Sequence, residues 1–120
     1  MSDAVTAAAI ERFFADRPHA RALFGALQKA VAMTGATHLA ATKSRVAFVR
    51  HTRYLWVHEA GLEAIWIGFK LDHPLPKGAR PTLRSGAVGK KWSHHLKLTS
   101  PADIDAQLRG WLQEAWEADG

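Results

Sequence analysis

The chain has 120 residues, enough for a single domain with a hydrophobic core of its own. It is 48% hydrophobic and 22% charged, as is usual for a globular protein, and no apolar run approaches the roughly 20 residues that a membrane-spanning helix needs. Without cysteine it can form no disulfide, thiol nucleophile or thiolate metal site, and its formal net charge of +5 favours an anionic partner.

The N-terminal segment is predicted to be a helix. Ile10, Phe13 and Phe14 follow the i, i+3, i+4 spacing of one helical face, which predicts a helix from about Ala4 to Ala15. Charged residues interrupt the alanine-rich stretch, so it lacks the apolar core of a signal peptide. We therefore expect a cytoplasmic protein of bacterial type.

A second helix is predicted to follow directly. Asp16 is a suitable N-cap for it, and Pro18 suits its first turn. The helix should end near Gly35, because glycine commonly terminates helices. Its apolar face is formed by Leu23, Phe24, Leu27 and Val31.

The middle of the chain is predicted to form a sheet. Its segments are rich in Val, Ile, Phe and Trp, and the short connections at 51–53 and 59–63 suit hairpin turns, so the sheet should be antiparallel. The strands are Val46–Arg50, Tyr54–His58, Ala64–Leu71 and Trp92–Leu98, with a weaker first strand at Thr37–Ala41. The segment from Asp72 to Lys91 holds three prolines and is predicted to be a long loop. We therefore expect four to five strands.

The strand pairing predicts a row of aromatic side chains. A tight turn at Thr52 would place Phe48 opposite Trp56, and a turn at Gly61 would place Trp56 opposite Trp66. Because side chains alternate between faces, the three rings would share one face, and the aliphatic face would carry the helices. Two interpretations stay open: the row is a partly open groove for a ligand, or helices cover both faces and the row is core.

The strand Trp92–Leu98 contains two adjacent histidines that should lie on opposite faces. His94 alternates with apolar residues and is expected to be buried, whereas His95 is a candidate general base or anion contact. Lys43, before the second strand, is a candidate base or Schiff-base former. A metal site would need histidines from separate strands, such as His58 or His51 with His95. Since the sequence has no regular ligand spacing, we expect no metal and no cofactor.

The last helix has the clearest pattern. Ser100 is the predicted cap and Pro101 occupies the first helical position. The apolar stripe consists of Ile104, Leu108, Trp111, Leu112 and Ala115. Together these elements predict one α+β domain over residues 1–120, with two N-terminal helices, the antiparallel sheet and a C-terminal helix packed on one sheet face.

The charge is distributed unevenly along the chain. Residues 43–97 contain eleven basic and three acidic side chains, whereas residues 101–120 contain one basic and five acidic side chains. The leading hypothesis is therefore a domain that binds an anionic ligand, above all nucleic acid, with bases stacked on Trp56 and Trp66. The residues expected to contact the anion are Arg45, Arg50, Lys70, Lys90, Lys91, His95 and Lys97.

Two other functions are compatible with the same face. One is a small-molecule-binding protein or enzyme whose pocket on the aromatic face contains Lys43 and His95. The other is a module that forms homodimers through the aromatic row. An enclosed pocket holding both polar residues would favour the first, and an open face continuous with basic surface would favour nucleic acid. No membrane partner is expected.

Four segments of the chain occur in a recognisable order. They are Phe13-Phe14 close to Arg17-Pro18, Thr42–Phe48, Trp92–Leu98 and Trp111–Trp116. This order resembles a bacterial family of domains of unknown function that is common in actinobacteria, and the resemblance covers nearly the whole chain. Its most specific parts are the Thr-Lys-Ser and Trp-Ser-His-His elements. The resemblance implies a helix–sheet–helix architecture and draws attention to Lys43 and His95, but it implies no reaction.

Overall fold

The computed structural model describes residues 3–120. These residues form three helices, α1 (Asp3–Phe13), α2 (Pro18–Ala32) and α3 (Ala106–Ala118), with a 3-10 turn at Pro101–Asp103. The strands are β1 (His38–Ala41), β2 (Val46–Val49), β3 (Arg53–Ala60), β4 (Ile65–Leu71), β5 (Arg84–Val88) and β6 (Lys91–Leu98). The predicted α+β class is confirmed.

The strands form one antiparallel sheet in the order β1-β2-β3-β4-β6-β5. The described residues thus contain six strands instead of the four to five predicted, because β5 lies inside the segment expected to be a loop. All five residues of β5 are exposed, so no apolar alternation marks it in the sequence. Gly89, with a φ of +61°, turns the chain back so that β5 pairs with β6.

The helices pack against one face of the sheet. The ring of Phe24 in α2 lies 5.7 Å from that of Phe48, and the ring of Trp111 in α3 lies 6.2 Å from that of Phe69. Phe14, directly after α1, joins this core with its ring 5.0 Å from that of Phe24. The predicted packing of the C-terminal helix on the sheet is therefore confirmed.

The predicted register of the aromatic row is wrong. Phe48 pairs with Leu55, and Trp56 pairs with Ala47 rather than with Phe48 or Trp66. Register shifts at the end of β2 and near the end of β3 cause the difference, because each bulge changes which residues stand opposite each other. Phe48 therefore belongs to the helical core, whereas Trp56 and Trp66 lie on the opposite face.

Two helix starts also differ from the prediction. Asp16 has a left-handed φ of 60° and caps nothing, and Arg17 precedes α2 without a side-chain hydrogen bond to it. Ser100 caps the short 3-10 turn instead of α3. The long helix begins later, where the Asp105 carboxylate accepts the Leu108 amide at 3.0 Å. Two caps in succession thus divide the predicted helix into a turn and α3.

Candidate functional site

The candidate site is the sheet face opposite the helices, called the open face below. Strand pairing places one row across it: Ala40, Ala47, Trp56, Gly68, His95 and Arg84. A Cβ atom on Gly68 would lie 2.4 Å from the Trp56 indole. The glycine therefore lets this indole lie over β4, where its ring meets the His95 imidazole edge-on at 5.9 Å.

Two histidines from different strands meet on the open face. His95 Nδ1 lies 3.3 Å from His58 Nε2, and the two rings are 5.2 Å apart at an angle of 80°. The other nitrogen of His95, Nε2, lies 3.0 Å from the Ser93 hydroxyl. When His95 carries its proton on Nδ1, it donates to His58 and accepts from Ser93. The three side chains then form one continuous hydrogen-bonded chain.

Both histidines are held in the neutral state at pH 7. Burial, followed by the neighbouring His58 and Arg45, lowers the pKa of His95 below its ordinary value. Burial and then Arg45 lower the pKa of His58, against the opposing effect of Glu59. Two imidazoles in contact beside an arginine avoid charge repulsion by remaining unprotonated. A neutral imidazole is the form that can accept a proton from a hydroxyl group.

Each tryptophan of the open face lies beneath an arginine. The Arg45 guanidinium is 5.6 Å from the Trp56 ring centre, and that of Arg84 is 6.0 Å from the Trp66 ring centre. Trp56 is only 6% exposed, and its indole N–H is buried without a hydrogen-bond acceptor. Trp66 is partly exposed. The arginines therefore cover these two rings and shield them from much of the solvent.

A groove of about 620 Å³ occupies the β1–β3 half of the open face. Trp56 forms part of its floor, and its cationic side chains are Arg45, Arg53 and Lys70. Among the described residues that line it there is no carboxylate. The groove is therefore suited to a negatively charged ligand.

Six of the seven predicted anion-contacting residues divide into two groups. Arg45, Lys70, His95 and Lys97 belong to the open face, together with both tryptophans. Arg50 instead donates from Nη1 to the Trp116 carbonyl at 2.7 Å and stacks 3.6 Å from the centre of its ring. Lys91 donates to the Ala118 carbonyl and pairs with Asp72, both at 2.9 Å. Arg50 and Lys91 thus bind carbonyl groups near the C-terminal end of α3 and hold it against the sheet.

The remaining predicted residues lie in turns. Lys90 is exposed between β5 and β6, and Lys43 is exposed between β1 and β2. The residues that line the groove include neither Lys43 nor His95. The groove therefore does not bring these two side chains together.

Sequence reasoning missed four residues of the site: Ser93 as a partner of His95, Arg53, Arg84 and Gly68. Strict alternation along β6 already places Ser93 and His95 on the same face, so that pair could have been found. Arg84 was hidden because its strand was expected to be a loop. The importance of Gly68 follows from the Trp56 ring above it, which only the register reveals.

Two kinds of feature were not found among residues 3–120: a metal-binding cluster and a membrane-spanning helix. In this part of the chain, no three or more His, Asp or Glu side chains are grouped in a way that could hold a metal ion. None of its helices is long and apolar enough to cross a bilayer.

Comparison with known proteins identifies the family. No curated protein and no solved structure matches the chain. A family model described as a domain of unknown function, DUF5655, matches residues 10–119, which include the open face, α2 and α3. The chain therefore belongs to the DUF5655 family.

Proposed function

We propose that this domain binds single-stranded nucleic acid on its open face. The observation that carries the proposal is that the helices occupy only one side of the sheet. The other side presents arginine-capped tryptophans and further cations, which is the combination that single-strand-binding surfaces use.

The cations are arranged along a path across the sheet. Arg45 and Arg53 lie beside the groove near β2 and β3, whereas Arg84 lies on the far edge strand β5. Lys70 and Lys97 lie between them, on β4 and β6. Strands are about 4.8 Å apart, so a six-stranded sheet extends for roughly 24 Å. A short single strand could contact several of these cations through successive phosphates.

Base contacts would differ from those expected from the sequence. Trp56 is nearly buried, so it supports Arg45, whose guanidinium plane offers its outer side to a base. Trp66 is partly exposed and can stack directly once Arg84 moves to a phosphate.

Salt dependence tests this proposal. Five phosphate contacts on a single strand predict a log–log salt slope of about −3.5, or roughly a 100-fold loss of affinity between 50 and 200 mM salt. The double substitution Arg45→Ala and Arg84→Ala should reduce the slope to about −2. Arg109→Ala, on the exposed side of α3, removes one positive charge from the helical layer and should leave the slope unchanged. Anisotropy of a labelled oligonucleotide measures all three, and salt-independent binding would refute the proposal.

A small anionic metabolite is the second candidate ligand, because the groove falls within the 300–1,000 Å³ range that is typical of small-molecule sites. Arg53 lines the groove, whereas Arg84 lies outside it. Metabolite binding should therefore be weakened by Arg53→Ala and not by Arg84→Ala, whereas nucleic acid should respond to both. Thermal shift with a panel of phosphorylated and carboxylated metabolites distinguishes the two ligands.

Homodimerisation through the open face is a third proposal. The large hydrophobic residues that are exposed in the described part of the chain lie on separate elements: Val5, Met33, Leu62 and Val88. They form no extended apolar patch of the kind that usually drives stable association. Light scattering over a range of concentrations tests it directly.

A further inference from the structure

We infer that Ser93, His95 and His58 form a catalytic relay that hydrolyses phosphodiester bonds, with Ser93 as nucleophile. The inference rests on the proposed function in one respect, since nucleic acid would supply the phosphodiester. The relay lies on the open face beside the cations that would hold the strand.

The contacts follow the order that nucleophilic catalysis requires. Ser93 lies within hydrogen-bond distance of His95 Nε2 at 3.0 Å, and His95 Nδ1 lies 3.3 Å from His58 Nε2. A hydroxyl, a base and a group that orients the base are thus connected in sequence. His95 is the general base, and His58 is a positioning residue that fixes the proton on His95 Nδ1.

A second serine–histidine pair in the same hairpin shows what a structural contact looks like. The Ser85 hydroxyl lies 2.6 Å from His94 Nδ1, and His94 Nε2 lies 3.1 Å from the His73 carbonyl. His94 is fully buried against Phe69, on the helical side. Ser93 and His95 are only half-buried and face the opposite direction. They are therefore accessible to a ligand that cannot reach His94.

Two cationic residues lie on the strands that flank the Ser93–His95 pair. Lys70 is the cross-strand partner of Ser93 on β4, and Arg84 is the partner of His95 on β5. Side chains in such pairs have Cβ atoms about 4.5–5.5 Å apart. Lys70 and Arg84 can therefore hold the non-bridging oxygens and stabilise the charge that develops on them. This arrangement favours phosphoryl over acyl transfer.

The reaction proceeds in two balanced steps. Ser93 Oγ attacks phosphorus while its proton passes to His95 Nε2, and the bond from phosphorus to the leaving sugar oxygen breaks. His95 returns that proton to the leaving oxygen. A water molecule then attacks the phosphoserine, giving one proton to His95, which delivers it to Ser93 Oγ as the Oγ–phosphorus bond breaks. The products are a phosphate monoester and an alcohol.

Cleavage of a labelled single-stranded oligonucleotide and of bis(p-nitrophenyl) phosphate tests the relay. Wild-type protein should cleave both, and Ser93→Ala and His95→Asn should each reduce kcat at least 100-fold. Ser85→Ala, which removes the hydroxyl that contacts the buried His94, is the matched control and should retain wild-type turnover. His58→Gln should lower kcat about tenfold with little change in KM, because His58 orients the base without touching substrate.

A covalent probe gives a readout that needs no turnover. A fluorophosphonate should react with Ser93 in the wild-type protein, and peptide mapping would detect the added mass on that residue. This measurement does not depend on whether Ser93→Ala folds. An oligonucleotide that binds but is not cut, with no labelling of Ser93, would overturn the relay and leave the binding proposal standing. Cleavage of the small diester without oligonucleotide binding would support the relay and refute the nucleic-acid ligand.

Discussion

At the scale of single residues, Gly68 is required for the packing of side chains on the open face. It contributes no side chain, yet the Trp56 indole occupies the space above it and His95 meets that indole from the next strand. Trp56 and His95 can therefore contact each other only because Gly68 has no Cβ atom between them. The arrangement of the open face therefore depends on the missing side chain at Gly68 as well as on the side chains that the face presents.

Gly68→Ala is expected to destabilise the fold by about 1–3 kcal/mol, because a Cβ atom 2.4 Å from the Trp56 ring would force that ring to move. Urea unfolding followed by tryptophan fluorescence measures the change. Gly86→Ala is the matched control on the same face, since nothing lies within 4 Å of its added Cβ. It should change stability by no more than about 0.5 kcal/mol. Equal effects of the two substitutions would contradict the packing explanation.

At the scale of elements, the connection from β6 to α3 depends on two aspartates. Asp103 Oδ2 accepts the Thr99 and Ser100 amides at 2.8 and 3.1 Å, and so closes the 3-10 turn. Asp105 caps α3 and pairs with the nearly buried Arg80 at 2.8 Å. The second aspartate therefore performs two roles, of which only one requires a charge.

Substitutions of Asp105 separate these roles. Asp105→Ala removes both the helix cap and the partner of Arg80, and it should lower the free energy of unfolding by about 1–2 kcal/mol. Asp105→Asn keeps an acceptor for the Leu108 amide and should have a clearly smaller effect. Urea denaturation compares the two, and an asparagine variant as unstable as the alanine variant would show that the charge matters more than the cap.

The elements also show how far sequence reasoning reaches. Apolar periodicity located α2 and four of the strands, and alternation correctly placed His94 inside and His95 outside, because burial imposes those patterns on side chains. It missed β5, which buries nothing, and the register of the aromatic strands, since bulges are set by backbone geometry. Of the cations on the face, Arg45, Lys70 and Lys97 were predicted, whereas Arg53 and Arg84 were not. The contact between His58 and His95 was not predictable, because it depends on that register.

At the scale of the whole molecule, acid is expected to weaken the fold. Burial is the main cause that lowers the pKa of His58, His94 and His95. The unfolded chain therefore binds more protons than the folded one below the ordinary histidine pKa of 6.5, so stability should fall as pH decreases from there. Urea midpoints at pH 7.5, 6.5 and 5.5 should decline in that order.

His94→Gln provides the control for this pH dependence. It should be less stable than wild type at pH 7.5 but should lose less stability between pH 6.5 and 5.5, because it removes a titrating group that is fully buried. His73 acts in the opposite direction, since the Pro74 carbonyl and then Glu114 raise its pKa, but its side chain is half exposed. A midpoint that rises on acidification would mean that His73 outweighs the other three.

One wall of the groove is held by hydrogen bonds to a residue that is distant in the sequence. Asp119, just beyond α3, accepts the His51 and Thr52 amides at 2.8 and 2.9 Å and also the Thr52 hydroxyl. His51 and Thr52 line the groove. Displacement of the Asp119 carboxylate would therefore remove the hydrogen bonds that hold two residues at this side of the groove.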